Sequence, residues 1–191
     1  MNQSEKIILG IDPGTNIMGY GIISVIGTKV KLLSLGVINL EKMDGHALKL
    51  KNIFEKTLHL IDGYHPDELA IEAPFFGKNV QSMLKLGRAQ GVAMAAGLYR
   101  GVPIFEYSPK KIKQSITGNG NASKEQVASM LQTLLSYSET PQYLDATDGL
   151  AVALCHHFQA NSLIKSSTKS TSGKKGSWEA YVGDNPGKIN K

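Results

Sequence analysis

The sequence predicts an α/β protein, a mixed five-stranded sheet with helices on its faces. Three observations predict it. Lys6-Ile-Ile-Leu-Gly-Ile-Asp12 and Glu68-Leu-Ala-Ile-Glu72 are nearly continuous apolar runs that read as buried strands. Strand-like stretches at 18–26 and 30–40 follow the first run, joined by the hairpin-length Gly27-Thr28-Lys29. From residue 45 onward, strand-like and helical segments alternate.

Each element has a local reason. The first strand ends on Asp12 because Pro13-Gly14 is a turn signal. Leu50, Ile53, Phe54, Leu58 and Ile61 stripe a helix over about 45–62. Pro66 restarts the chain into the strand 68–72. Val80 to Tyr99 is a long helix rich in small residues (Gly87, Ala89, Gly91, Ala93, Ala95, Ala96, Gly97), which permit close approach of another element. Val102 to Tyr107 is a short strand, and Pro109 opens a helix through about 116. Thr117-Gly-Asn-Gly-Asn121 is a loop, and Ser123 with Gln126 is a capping-box signature for a helix to about Leu135. The last helix runs from near Pro141 to about Asn161. Beyond it the residues turn to Ser, Thr, Gly and Lys, so 165–191 reads as a flexible basic tail on a domain spanning 1–164.

With 191 residues, of which 41% are hydrophobic and 19% charged, the chain can bury a core and fits a soluble globular protein. No apolar run approaches the roughly 20 residues of a membrane span, and the N-terminus does not resemble a secretory leader. The lone Cys155, set in Ala-Leu-Cys, reads as a small buried hydrophobe and fits a reducing, cytoplasmic setting. The net charge of +5 is polarised. Six Lys against Glu179 and Asp184 make 165–191 basic, and 78–124 holds eight basic residues against Glu106 alone. A stripe of that density suggests a polyanion partner, although many charge runs are only solvated faces.

The acids carry the chemistry. Asp12 and Glu72 each close a buried strand beside a turn residue, where ligand sites of α/β sheets gather. Asp145 and Asp148 are three apart, on one face of a helix that continues as the apolar Gly-Leu-Ala-Val-Ala-Leu-Cys. Such an acidic pair opening a buried helix breaks a local rule with no local gain. A divalent cation resolves the repulsion: Mg²⁺ takes hard oxygen ligands, and two ions can serve an in-line phosphoryl displacement. Taken singly, Asp145 could be an ordinary helix N-terminal acid and Asp12 a turn residue. All of these acids arising by accident in one chain is less probable than a shared site. No EF-hand loop is present, and five histidines without a Cys pair disfavour zinc.

The segments Ile-Leu-Gly-Ile-Asp12-Pro-Gly-Thr, Ala-Ile-Glu72 and Asp145-Ala-Thr-Asp148-Gly-Leu-Ala resemble the RuvC family of crossover-junction endodeoxyribonucleases, which have the ribonuclease H-like fold. The likeness continues through Lys78-Asn79, Leu84-Lys-Leu-Gly87, Ala89-Gln-Gly-Val92, Phe105-Glu-Tyr107, Lys113-Gln114 and Gly118-Asn-Gly120, covering roughly 6–160 in order. The resemblance implies a homodimer that makes paired nicks in a Holliday junction with two Mg²⁺ per active site, Mn²⁺ being a possible substitute. It implies catalytic and metal-binding roles for Asp12, Glu72, Asp145 and Asp148, and assisting roles for Lys113 and Lys124 near the scissile phosphate. Phe75 resembles an aromatic that engages junction bases, and base stacking is worth about 1–3 kcal/mol; a core aromatic would read the same. Lys78, Lys85, Arg88, Lys110 and Lys111 are expected to meet DNA alongside the two site lysines. The helix over 80–99 resembles the family's dimer-forming element, and RuvA and RuvB are the implied branch-migration partners.

Other readings stay open at this point. An actin-like or sugar-kinase ATPase needs a second lobe and more chain, and no Walker A sequence is present. A junction binder without cutting activity leaves the acids unexplained. A ribonuclease H or integrase-type nuclease would use similar acids on another substrate.

Overall fold

The computed structural model describes residues 4–74, 79–137 and 144–168, with side chains as far as 160. The strands are β1 (Lys6–Asp12), β2 (Ile17–Ile26), β3 (Lys29–Asn39), β4 (Glu68–Glu72) and β5 (Ile104–Tyr107). The helices are α1 (His46–Tyr64), α2 (Val80–Tyr99), α3 (Pro109–Thr117), α4 (Lys124–Leu135) and α5 (Asp145–Thr168). The sheet order is β3-β2-β1-β4-β5. β1 pairs antiparallel with β2, as does β2 with β3, while β1–β4 and β4–β5 are parallel. This is the mixed five-stranded sheet the sequence predicts, with the two apolar runs in the middle.

Strand alternation sorts the core into two layers. Leu9, Ile11, Leu69 and Ile71 face one way and pack with Ala89 and Ala93 of α2 and with Ile53, Leu60 and Ile61 of α1. Ile8 and Ala70 face the other way, against Leu150 to Cys155 of α5 and against Ile112 and Val127 of α3 and α4. Asp12 and Glu72 share the parity of this second set, so the sheet aims both at α5.

Caps end the helices where the sequence places them. Asn79 accepts a hydrogen bond from Ser82 N at the start of α2, and Ser108 precedes Pro109 at the start of α3. The capping box of Ser123 and Gln126 is formed in both directions. β5 begins later than expected, at Ile104, because Pro103 has no N–H to give and joins the sheet only as an acceptor from Leu69 N. The helical backbone of α5 continues past the expected end near 161 to Thr168, since no Gly or Pro interrupts it before Gly173. The expected start at Pro141 lies outside the described residues. Of the tail expected over 165–191, residues 165–168 continue the helical backbone of α5, and the rest lie outside the described residues. Among those described, no helix is long and apolar enough to cross a membrane.

Two compact units divide the chain, Met1–Gln159 and Ala160–Lys191. The site lies wholly in the first.

Candidate active site

Backbone contact between α5 and the sheet brings the acids together. A Cβ on Gly149 would lie 2.5 Å from Tyr20 Cα, and one on Gly10 would lie 2.3 Å from the Gly149 carbonyl oxygen. One on Gly19 would meet the Asp145 carbonyl oxygen, and one on Gly21 would lie 2.3 Å from Leu150 Cα. Four glycines on three elements therefore let the first turns of α5 rest directly on β1 and β2. This accounts for a glycine inside a helix at 149, where it costs about 1 kcal/mol relative to Ala.

Asp12 at the end of β1 then meets Asp145 and Asp148 in the first turn of α5. One carboxylate oxygen from each lies within 4.8 Å of the others. Glu72, at the end of β4, stands outside that tight group but lines the same cleft of about 270 Å³ with Asp12, Asp148, Lys113 and Lys124. Lys124 Nζ donates to Asp145 Oδ1 at 3.1 Å and to Asp148 Oδ2 at 2.5 Å.

The electrostatics match the crowding. Burial, then the charges of Glu72 and Asp148, push the Asp12 carboxyl well above the ordinary range, with Lys124 pulling the other way. Burial and Asp148 push Glu72 up to about 7 against Lys124 and Lys113. Burial also raises Asp148, although Lys124 opposes it. The Lys124 ammonium is disfavoured by burial, but its bonds to Asp148 and Asp145 outweigh this and hold it protonated above the lysine range. Three acids whose charged forms are disfavoured first by burial and then by neighbouring carboxylates form a site short of positive charge. Hard oxygen donors grouped this closely could hold a hard metal cation.

The expected basic residues fare differently. Lys113 and Lys124 line the cleft. Lys85 and Arg88 on α2 and Lys110 and Lys111 on α3 are exposed, and none of them lines it. Arg100, which adds to the basic block in sequence, spends its charge on Asp62 in a two-pronged pair at 2.7 Å. Phe75 and Lys78 lie outside the described residues. Cys155 is buried, and burial raises its thiol, as a packing residue requires.

Sequence reading missed two features. Lys49 donates to the Thr15 carbonyl and to Asn16 Oδ1, both at 3.0 Å, tying α1 to the turn beyond Asp12. His156 joins a buried polar chain with Glu68 and Tyr107. The only sequence signal for the second is strand parity: Glu68 faces the same side as Glu72.

An acid cluster shared between β1 and α5 of this mixed sheet defines a ribonuclease H-like protein. A family model described as crossover junction endodeoxyribonuclease RuvC matches residues 8–156. Relatives of that name include one from Christiangramia forsetii, 63% identical over 98% of this chain and 94% of its own. Another, from Cytophaga hutchinsonii, is 60% identical over 97% of this chain and 88% of its own. The structure of Thermus thermophilus RuvC in complex with Holliday junction substrate superposes with a TM-score of 0.75 at 33% identity, covering 81% of this chain and 94% of that one. The chain belongs to the RuvC family of crossover junction endodeoxyribonucleases.

Proposed function

We propose that this chain resolves four-way DNA junctions by hydrolysing phosphodiesters with two divalent cations, Mg²⁺ or Mn²⁺, held by Asp12, Glu72, Asp145 and Asp148. The observation that carries the reading is the convergence of three carboxylates within 4.8 Å, with Glu72 in the same cleft. Bound there, the cations would activate a water and stabilise the leaving oxygen of an in-line displacement. The protein's own part is to hold its acids rigidly on two strands and one helix, so that charge stabilisation is built before the DNA arrives. Lys124 must release Asp145 or Asp148 for that carboxylate to take a cation, and its ammonium then faces the phosphate. Lys113, which lines the same cleft, adds a second positive charge.

Substrate choice rests on parts further out. Exposed Lys85, Arg88, Lys110 and Lys111, with Lys78, would contact phosphates, and Phe75 would stack on a junction base. Residues 165–191 would add sequence-independent affinity through their lysines. Paired nicks need two sites, so the active form is a homodimer, and α2 offers its seam. Val80, Leu84, Gly87, Gly91 and Leu98 recur at helical spacing on a face where Val80 and Leu98 are 64% and Leu84 is 50% exposed. The reading places the enzyme in the cytoplasm, where RuvA and RuvB would deliver the junction.

A synthetic four-way junction tests the reading. Symmetric paired nicks with Mg²⁺, abolished by EDTA and by Glu72→Gln, are the expected result. Tight binding without cutting would overturn it in favour of an architectural junction binder, and faster cutting of an RNA–DNA hybrid would overturn the substrate.

A further inference from the structure

The buried polar chain around His156 runs from Glu68, at the opposite end of β4 from Glu72, to Tyr107, which pairs in register with Glu72, and nothing in the cutting chemistry uses it. His156 is 3% exposed. Its Nε2 is 2.5 Å from Glu68 Oε2, and its Nδ1 is 2.7 Å from the Tyr107 hydroxyl. Lys6 Nζ reaches the same Glu68 oxygen at 2.6 Å. The Phe105 ring lies against the imidazole, centroids 4.4 Å apart. One side chain of α5 is thereby bonded to β4 and β5 directly, and to β1 through Glu68.

The spans on the two elements agree. Asp148 and His156 are two turns and a fraction apart on α5, about 12 Å at 1.5 Å per residue. Glu68 and Glu72 are separated by about 13 Å of extended strand at 3.3 Å per residue. Helix α5 therefore runs antiparallel to β4, with His156 over Glu68 at one end and Asp148 facing the cleft of Glu72 at the other. Apolar packing between helix and sheet tolerates small sliding, whereas short, directional, buried hydrogen bonds do not. Burial alone would push Glu68 up, but the bonds from Lys6 and His156 outweigh it and keep the carboxylate ionised. A misplacement of about 1 Å at a reacting centre can cost about 10²-fold in rate.

We propose that Glu68, His156 and Tyr107 form a positioning clamp that sets the register of α5 against β4, and with it the spacing of Asp145 and Asp148 from Asp12 and Glu72. The clamp rests on the reading of those acids as the cation site. Neither His156 nor Glu68 reaches the substrate; they act through α5.

The test compares full-length wild type with His156→Leu, His156→Gln and Tyr107→Phe. Mn²⁺ binding without DNA is followed by electron paramagnetic resonance, alongside melting, junction kcat and KM, and a crystal structure of His156→Leu. The expected result at temperatures far below melting is Mn²⁺ affinity about 10-fold weaker in His156→Leu, a smaller effect than the roughly 10²-fold that a misplacement of about 1 Å can cause at a reacting centre. Its kcat falls while KM for the junction holds. Gln, which can still bond Glu68, recovers most of both, and Tyr107→Phe, the mildest change, shifts them in the same direction. In the crystal, Asp148 is displaced relative to Glu72. Lower melting with unchanged Mn²⁺ affinity and kcat would overturn the clamp and leave a stability role. Should wild type bind no Mn²⁺, the cation reading fails by itself, and the crystal comparison still decides the clamp: superposed acids overturn it, displaced acids support it.

Discussion

Glu72 illustrates how a single carboxylate is set by its neighbours. Burial first, and Asp148 second, push it up to about 7. An acid raised in this way is held protonated in the folded state. It costs nothing below its ordinary value of 4.5 and adds a growing penalty as pH climbs towards about 7. Metal-free protein should therefore lose thermal stability across pH 4.5 to about 7, as read by a melting series in EDTA. Mg²⁺ should restore stability at about pH 8 and do little at about pH 5, where protons compete with the cation. Asp12 and Asp148, raised in the same direction, steepen the trend. Glu68 works oppositely: held below its ordinary value, it contributes stability above that value that is lost as pH falls through its lowered one, a separate and more acidic window. A melting temperature flat from about pH 5 to 8 would show that burial and the neighbouring carboxylates do not raise these acids in the folded protein.

At the scale of elements, the seat of α5 on β1 and β2 decides the geometry of the site. Gly149→Ala would gain about 1 kcal/mol in helix propensity. That gain is overwhelmed, because the new methyl would lie 2.5 Å from Tyr20 Cα and 2.6 Å from its backbone nitrogen. Backbone on both sides cannot yield as a side-chain tip would, so the helix must lift and carry Asp145 and Asp148 with it. The expected outcome is a melting temperature several degrees lower and junction cutting reduced at least tenfold. Gly63→Ala in α1 is the control: nothing lies within 4 Å of its new methyl. It should leave cutting unchanged and stabilise the chain slightly. Equal effects from the two substitutions would show that close packing at 149 is not what places the acids.

At the scale of the whole molecule, α2 has an inner and an outer face. Ala89, Ala93 and Ala96 are fully buried against the sheet, while Val80, Leu84 and Leu98 stand exposed. Gly87 and Gly91 have open space where a side chain would sit, leaving shallow places on the outer face. Apolar residues aligned along one outer face fit a second copy of the chain. Leu84→Glu should therefore leave the far-UV circular dichroism spectrum of the fold intact, yet turn a dimer into a monomer by light scattering and abolish paired nicking. A dimer that persists would move the seam elsewhere. The distribution of charge follows the same logic at this scale: Arg100 is committed to Asp62, whereas Lys113 and Lys124 face the acids.

Much of this protein was legible in its order of residues. The apolar runs 6–12 and 68–72 identify the central strands because burial on both faces leaves no room for polar alternation. Pro109, and Ser123 with Gln126, mark helix starts because capping is local chemistry. The four acids stand out together, two closing apolar strands and two opening an apolar helix, although a turn or a helix N-terminus would account for some of them singly. Other features needed the fold. That Asp12, Asp145 and Asp148 converge within 4.8 Å while Glu72 stands slightly apart depends on where α5 lands. That landing is set by glycines on separate elements, whose meeting no local pattern encodes. The partnership of His156 with Glu68 joins residues far apart in the chain, and Arg100 turning from the basic block to Asp62 is likewise a long-range pairing. Strand, cap and turn signals act within a few residues of chain and so can be read from it. The spacing of charges in the site depends on packing between elements, which only the tertiary structure decides.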